Sequence, residues 1–269
     1  MGAKTNIQWC DSTNNAQMGC EGCELIKGQD KPKCYAGNLT KRYQGLTGWP
    51  QSFDKPKIFM HRVPKMINWP DLTSTTRNDK PWLNNMPRLI FLNDMGDTFT
   101  KGLPVNWFAD VLQLIKDSPH QYLVLSKWPK RFAAFSKQFT LPHNVWCGTS
   151  VTSQKTLFRV NEIKQVHTTS IKWLSVEPLW GFIDFGNTLD GIDWVIIGGE
   201  SGTNPVPCEI ENIMHIIKQC QDKGVAVFVK QTGTWFAKQN HYKDGHGGDW
   251  NEWPEALKVR QMPLIKSTK

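Results

Sequence analysis

Three cysteines crowd into a short stretch near the start of the chain, spaced Cys20-x2-Cys23-x10-Cys34. Thiolates are soft ligands, and they select zinc, copper(I) or iron–sulfur clusters. A structural zinc site takes four protein ligands, so three clustered thiols leave one position open. Catalysis at a metal needs such a position, because a substrate or cofactor must reach the metal. Cys20, Cys23 and Cys34 therefore read as ligands of a metal centre, with an iron–sulfur cluster as the first reading. Two alternatives stand beside it. One is a zinc site completed by Cys10 or a histidine, and the other is free thiols in a loop. Cys147 ends a predicted strand, and Cys208 and Cys220 read as ordinary loop and helix residues.

A second set of polar residues follows a run of apolar segments. These are Asn93, Asp94 and Asp97; Ser126 and Lys127; Thr149 and Ser150; Ser175 and Glu177; Gly198, Gly199, Glu200 and Ser201; and Lys230 and Gln231. In parallel α/β folds, ligands bind at the carboxyl ends of the strands, so this polar rim reads as a shared site. Glu177 and Glu200 are carboxylates for an amine or a ribose hydroxyl; either can instead pair with Lys127 or Lys230. Gly198-Gly199 lets a ligand approach the backbone closely, or makes a tight turn. Asn93 and Ser150 complete the candidate cofactor contacts, and Lys230 joins Glu177 as the candidate catalytic pair. Lys127, Trp128, Lys130 and Arg131 form a basic–aromatic cluster suited to phosphates and a stacked base, or to a solvated helix start. The histidines at 143, 167, 215 and 241 have no metal-ligand spacing.

The elements that must position these residues are legible as short apolar runs. They are Arg88–Asn93, Gln121–Ser126, Val145–Thr149, Ile171–Glu177, Asp193–Gly199 and Val225–Gln231. Near-continuous apolar runs suit strands buried on both faces of a parallel sheet. Thr5–Trp9 is the expected first strand, and Ile58–His61 is a further candidate. Between the runs, 105–116, 153–166 and 209–222 carry helical spacing, with Gly224 as a stop. Alternating strands and helices imply βαβ units with parallel strands, and so a partial or complete (β/α) barrel of the TIM type. An open doubly wound sheet is the alternative. The whole chain, 1–269, reads as one α/β domain with a cysteine loop at 18–36, an irregular excursion at 45–87 and a polar tail from 233 to 269.

Bulk properties set the outer limits. The chain has 269 residues, 32 Lys and Arg against 24 Asp and Glu, and a net charge of +8. That excess suits a polyanionic partner such as DNA or RNA, or merely a basic surface. The first ten residues lack the apolar stretch of a secretory signal. No window approaches the roughly 18 apolar residues of a membrane span, so no membrane association and a cytoplasmic location are expected. Seven cysteines, an odd number, point to metal or redox chemistry more than to disulfides in a reducing compartment.

Taken together, the motifs resemble a phage-borne family with a three-cysteine motif, radical-SAM-like in character. The residues that carry the resemblance are Ile7–Asp11, Gly19-Cys20, Cys34–Ala36, Phe91–Phe99 and Leu125–Pro129. They continue with Trp146–Val151, Leu174–Leu179, Asp193–Gly202, Phe228–Gln231 and Trp250–Pro254. The resemblance runs in order along nearly the whole chain. It implies a radical-SAM-type barrel in which three cysteines hold a [4Fe–4S] cluster and leave one iron for S-adenosylmethionine. One electron then cleaves the sulfonium to a 5′-deoxyadenosyl radical, with the protein supplying orientation and shielding. Two departures stand out. The spacing here is C-x2-C-x10-C where the common pattern is C-x3-C-x2-C, and Gly198-Gly199-Glu200 falls on a late strand where the common motif lies early. The expected activity is modification or repair of a nucleic acid or nucleotide, with a separately encoded partner protein as a further expectation. A zinc- or cluster-containing binding module is the alternative from another class, and a barrel hydrolase or lyase using the rim carboxylates is a third.

Overall fold

The structure is a computed structural model that describes residues 2–29 and 32–266. Asp30 and Lys31 of the expected cysteine loop, Ser267–Lys269 of the expected tail, and Met1 lie outside the described residues. The chain packs as two compact units, one ending at Trp146 and the other starting at Cys147. The sequence reading placed no boundary there.

The first unit contains β1 (Ser12–Asn14), β2 (Gln17–Met18), α1 (Tyr35–Tyr43), β3 (Lys57–Ile58) and α2 (Val63–Ile67). It continues with β4 (Leu89–Leu92), α3 (Trp107–Ile115), β5 (Gln121–Ser126) and α4 (Pro129–Gln138). Strand β4 lies between β1 and β5 and is parallel to both. Thr5–Trp9 is not a strand, and this corrects the expected start of the sheet. The strand is Ser12-Thr13-Asn14, which is polar yet buried. It is stable there because its side chains find partners: Ser12 Oγ donates to Ala3 O at 2.9 Å, and Asn14 Nδ2 to Arg62 O at 3.1 Å. Ile58–His61 is likewise corrected. Only Lys57 and Ile58 are extended, in a small antiparallel pair with β2.

The excursion at 45–87 contains little regular structure, but buried cations, Arg77 and Lys80 among them, fasten it. The Arg77 guanidinium forks onto the Asp11 carboxylate, with Nε to Oδ1 at 2.7 Å and Nη2 to Oδ2 at 3.1 Å. It also donates to the carbonyls of Leu83 and Met86. The Lys80 ammonium donates to the carbonyls of Thr5, Ile7 and Cys10 at 2.7 to 2.8 Å. Two buried cations thus collect carbonyls that have no strand or helix to join.

The second unit contains β6 (Val145–Ser150, from Cys147 onward), α5 (Phe158–Lys164), β7 (Lys172–Val176), β8 (Trp194–Gly198), α6 (Ile210–Asp222), β9 (Ala226–Gln231) and α7 (Thr234–Gln239). Its strands are parallel and stand in chain order. In neither unit does the strand order reverse as a doubly wound sheet requires, and the pattern is that of a partial β/α barrel. Trp173 and Trp194 are fully buried neighbours, with ring centroids 5.9 Å apart. Gly148 makes room for Trp173, because a Cβ there would lie 2.3 Å from its ring. The tail folds back on β9: Val229 N donates to Val259 O at 2.8 Å, and Gln261 N to Val227 O at 2.9 Å.

Candidate functional site

The cysteine loop leaves β2 at Gly19 and is pinned residue by residue. Gly19 N donates to Met95 O at 2.9 Å, Cys20 N to Phe53 O at 2.8 Å, and Glu21 N to Thr100 Oγ1 at 2.9 Å. Cys34 caps the N-terminus of α1, its sulfur accepting from Gly37 N at 3.4 Å. Gly22 N reaches the Cys20 sulfur at 3.4 Å in the same way. The Cys23 sulfur accepts from the backbone of Leu25. Each of the three thiols is half-buried and faces at least one backbone N–H.

Burial is the main influence on all three, and it raises each thiol above its ordinary range. The backbone donors oppose it, as does the Lys127 ammonium beside Cys23 and Cys34. The thiols also disfavour one another's ionisation: Cys20 is raised by both Cys34 and Cys23. Hence the three form one electrostatic group. Among the described residues, no three His, Cys, Asp or Glu side chains close on a single point that would hold one metal ion. A four-iron cluster takes its thiolates on separate irons, so its ligands ring a body several atoms across.

The basic–aromatic cluster is tied to this loop. Arg131 pairs with Glu21 and donates to Phe99 O at 3.1 Å, and its guanidinium lies over Trp128 at 4.5 Å. Lys127 lies 3.5 Å from Glu24. Glu21 and Glu24 directly follow Cys20 and Cys23, so these two cations dock the loop onto the end of β5. Lys130 points to solvent and Trp128 is half-buried. Asp97 joins the neighbouring ends of β4 and β5, accepting from Ser126 Oγ and Lys127 N at 2.8 Å and from Phe99 N at 3.0 Å. Asn93 is also committed to the fold. It sits at a φ of 60°, its Oδ1 accepts from Gln17 N at 2.9 Å, and its Nδ2 donates to Thr98 Oγ1 at 2.9 Å.

A cleft of about 830 Å³ opens in this same unit, and the sequence reading missed it. Its floor is Asn14, Asn15 and Asp94, from the ends of β1 and β4. One wall is the face of α1 that carries Tyr35, Leu39 and Tyr43, four residues apart. Trp49 packs beside Tyr43, with ring centroids 4.9 Å apart, and His61 and Lys65 stand on the rim. Asp94 accepts from Asn15 Nδ2 at 2.7 Å and from the Tyr35 hydroxyl at 3.2 Å. Burial raises this carboxyl above the usual range, against the pull of those two donors. The only legible signal for the cleft was the four-residue spacing in α1, hidden in a basic, polar stretch.

In the second unit the carboxyl ends of β7, β8 and β9 carry Glu177, Gly198 and Lys230. Lys230 Nζ lies 2.9 Å from Glu177 Oε1. Ser175 Oγ donates to Glu177 Oε2 at 3.4 Å. The register explains why they meet. Ile197 pairs with Val229 and Gly198 with Gln231, so Lys230 is the extra residue of a β-bulge. Bulges re-aim side chains, and here the ammonium reaches across β8. Gly198 keeps the crossing open, since a Cβ there would lie 2.9 Å from Glu177 Oε1.

The other candidates on these ends hold the backbone. A Cβ on Gly199 would meet Thr232 O at 2.1 Å, so this glycine serves a close backbone approach. Glu200 is buried; its Oε2 accepts from Trp180 Nε1 at 2.9 Å and from Val206 N at 3.1 Å. Ser201 is exposed and accepts from Gln231 Nε2 at 2.7 Å. Ser150 is buried, and its carbonyl accepts from Arg159 at 3.1 Å.

A β/α chain with a three-thiol loop on one unit and a carboxylate–ammonium ion pair on the other is the class that fold and site define. The chain belongs to the family described as "Protein of unknown function (DUF5131)", whose model matches residues 4–260. No curated protein matches the chain, and no solved structure does. Among the described residues, no helix is long and apolar enough to cross a membrane.

Proposed function

We propose that the chain is a radical-SAM-like iron–sulfur enzyme that modifies or repairs a nucleic acid or nucleotide. Cys20, Cys23 and Cys34 would hold a [4Fe–4S] cluster. The observation that carries this reading is the grouping of three half-buried thiols, each facing a backbone N–H, with Lys127 nearby to offset thiolate charge. Backbone donors aimed at sulfur and a nearby cation are the features that stabilise and tune cysteine-held clusters. When bound, such a cluster supplies single electrons, and with S-adenosylmethionine it supplies a 5′-deoxyadenosyl radical. The chain's own part is to seat the loop through Arg131–Glu21 and Lys127–Glu24. In the second unit, Glu177 and Lys230 are the residues proposed to hold or move a proton at substrate.

Purification without oxygen, followed by iron, sulfide and zinc analysis and an absorption spectrum, tests the centre. The expected result is about four irons and four sulfides per chain, with a broad visible absorbance that disappears in Cys20→Ala, Cys23→Ala and Cys34→Ala. Reduced protein should then release 5′-deoxyadenosine from S-adenosylmethionine. One zinc and no iron would overturn the proposal in favour of a zinc-containing binding module. A loaded cluster with no 5′-deoxyadenosine would remove the cleavage step alone.

A further inference from the structure

We propose that the cleft beside α1 binds a single nucleotide, with the base against Tyr43 and Trp49, the sugar on Asn14 and Asp94, and the phosphate at Lys65. This rests on the reading of the chain as acting on a nucleotide, but not on any metal centre.

The floor supplies the most specific observation. Asn14 is 3% exposed, and its Nδ2 donates to Arg62 O at 3.1 Å. That bond fixes the amide orientation and leaves Oδ1 as an acceptor. Among the described residues this Oδ1 has no hydrogen-bond partner. A buried acceptor without a donor is costly, and a ligand hydroxyl would remove the cost. Beside it, Asp94 presents a second acceptor, held in place by Asn15 and Tyr35. Two adjacent acceptors on a cleft floor suit a ligand that brings hydroxyl donors, and a nucleotide sugar does.

The walls supply the second observation. Tyr43 and Trp49 lie with ring centroids 4.9 Å apart and planes at 34°. Tyr35 is 53% exposed and Tyr43 36% exposed, although both line a cleft. Exposed aromatic faces are a stacking platform for bases, which all carry a π face. The rim supplies the third. Lys65 is exposed and lines the cleft, so its ammonium is available to a phosphate. Arg62, by contrast, is buried over Phe59 at 3.8 Å and donates to the carbonyls of Asn15 and Gly48. It shapes the cleft and is not offered to a ligand.

Isothermal titration calorimetry of the full chain, with and without bound iron, provides the test. The probes are the four ribonucleoside 5′-monophosphates, their unphosphorylated nucleosides, a short single-stranded oligonucleotide and S-adenosylhomocysteine. The expected result is saturable binding of monophosphates or oligonucleotide, weakened by about tenfold or more in Tyr43→Ala, which removes one stacking face. Lys65→Gln should reduce monophosphate binding while leaving nucleoside binding unchanged. Both positions are exposed, so circular dichroism should show an unaltered fold. Binding of S-adenosylhomocysteine with no binding of any nucleotide or oligonucleotide would overturn the proposal, and so would nucleotide binding that neither variant changes. Nucleotide binding by a protein that takes up no iron would sustain this proposal while the cluster reading failed.

Discussion

Glu177 and Lys230 meet at 2.9 Å across strand β8, at a point where that strand carries only Gly198. The pair exists because a bulge turns Lys230 toward β7 and because no side chain blocks the crossing. Gly198→Ala should therefore destabilise the fold by about 1–3 kcal/mol, the range for overpacking. Glu177→Ala should relieve much of that cost. The two substitutions should be non-additive in urea denaturation, and simple additivity would show that the crossing does not depend on the glycine.

The Asp11–Arg77 pair should be the strongest single fastening of the excursion. Its side chains are 7% and 6% exposed, and the carboxylate also accepts from Leu89 N at 2.9 Å. Asp11→Ala leaves a buried guanidinium without its counter-ion and should cost about 3–5 kcal/mol. Chemical denaturation monitored by tryptophan fluorescence checks this. A loss below about 1 kcal/mol, the scale of an exposed pair, would show that water reaches the site.

Metal uptake by the cysteine loop should depend steeply on pH. Burial raises Cys20, Cys23 and Cys34, so each is a neutral thiol near neutral pH and must lose a proton to become a ligand. Affinity should rise with pH, by about tenfold per unit for each thiol deprotonated, until the thiols ionise. Lys127→Gln removes a cation that lowers Cys23 and Cys34, and should shift the uptake curve to higher pH. Titration of metal-free protein with zinc or iron at a series of pH values measures both effects.

Asp244 should link the tail to pH. Its carboxylate accepts from the N–H groups of His246 at 3.0 Å, Gly248 at 2.7 Å and Asp249 at 2.9 Å. The His246 bond leads in holding it below the usual carboxylate range. A depressed carboxyl stabilises the fold fully above the unfolded value of about 3.9, and the contribution is lost as pH falls through the folded value. Asp244→Asn should cost about 1–2 kcal/mol at neutral pH. It should also speed hydrogen exchange at Gly248 and Asp249, and an unchanged exchange rate there would show that the loop holds itself together otherwise.

Much of this protein is written locally. Strands β4 to β9 are apolar runs buried on both faces, and such runs are legible because burial selects their residue types wherever the strand lies. The helices at 107–115 and 210–222 are legible from one-sided apolar spacing, and α6 carries its own stop at Gly224, whose φ is 65°. The cysteine triplet is legible because ligand chemistry depends on residue type and spacing.

Tertiary structure decided the rest. Strand β1 is Ser-Thr-Asn, and only pairing with β4 and side-chain partners elsewhere make it a strand. Arg77 and Lys80 look like surface cations in sequence, yet the fold buries both, Arg77 against the distant Asp11 carboxylate and Lys80 among the distant carbonyls of Thr5, Ile7 and Cys10. The basic–aromatic cluster around Lys127 and Arg131 looks like a surface for phosphates, yet two of its cations meet Glu24 and Glu21 of the cysteine loop. The cleft, too, is assembled from segments that no local pattern joins. Sequence by itself determined which segments bury and which residue types have chemistry to offer. Which of those residues remain available was decided by tertiary packing, because a charge or an amide is used up by whatever partner the fold brings within hydrogen-bonding distance.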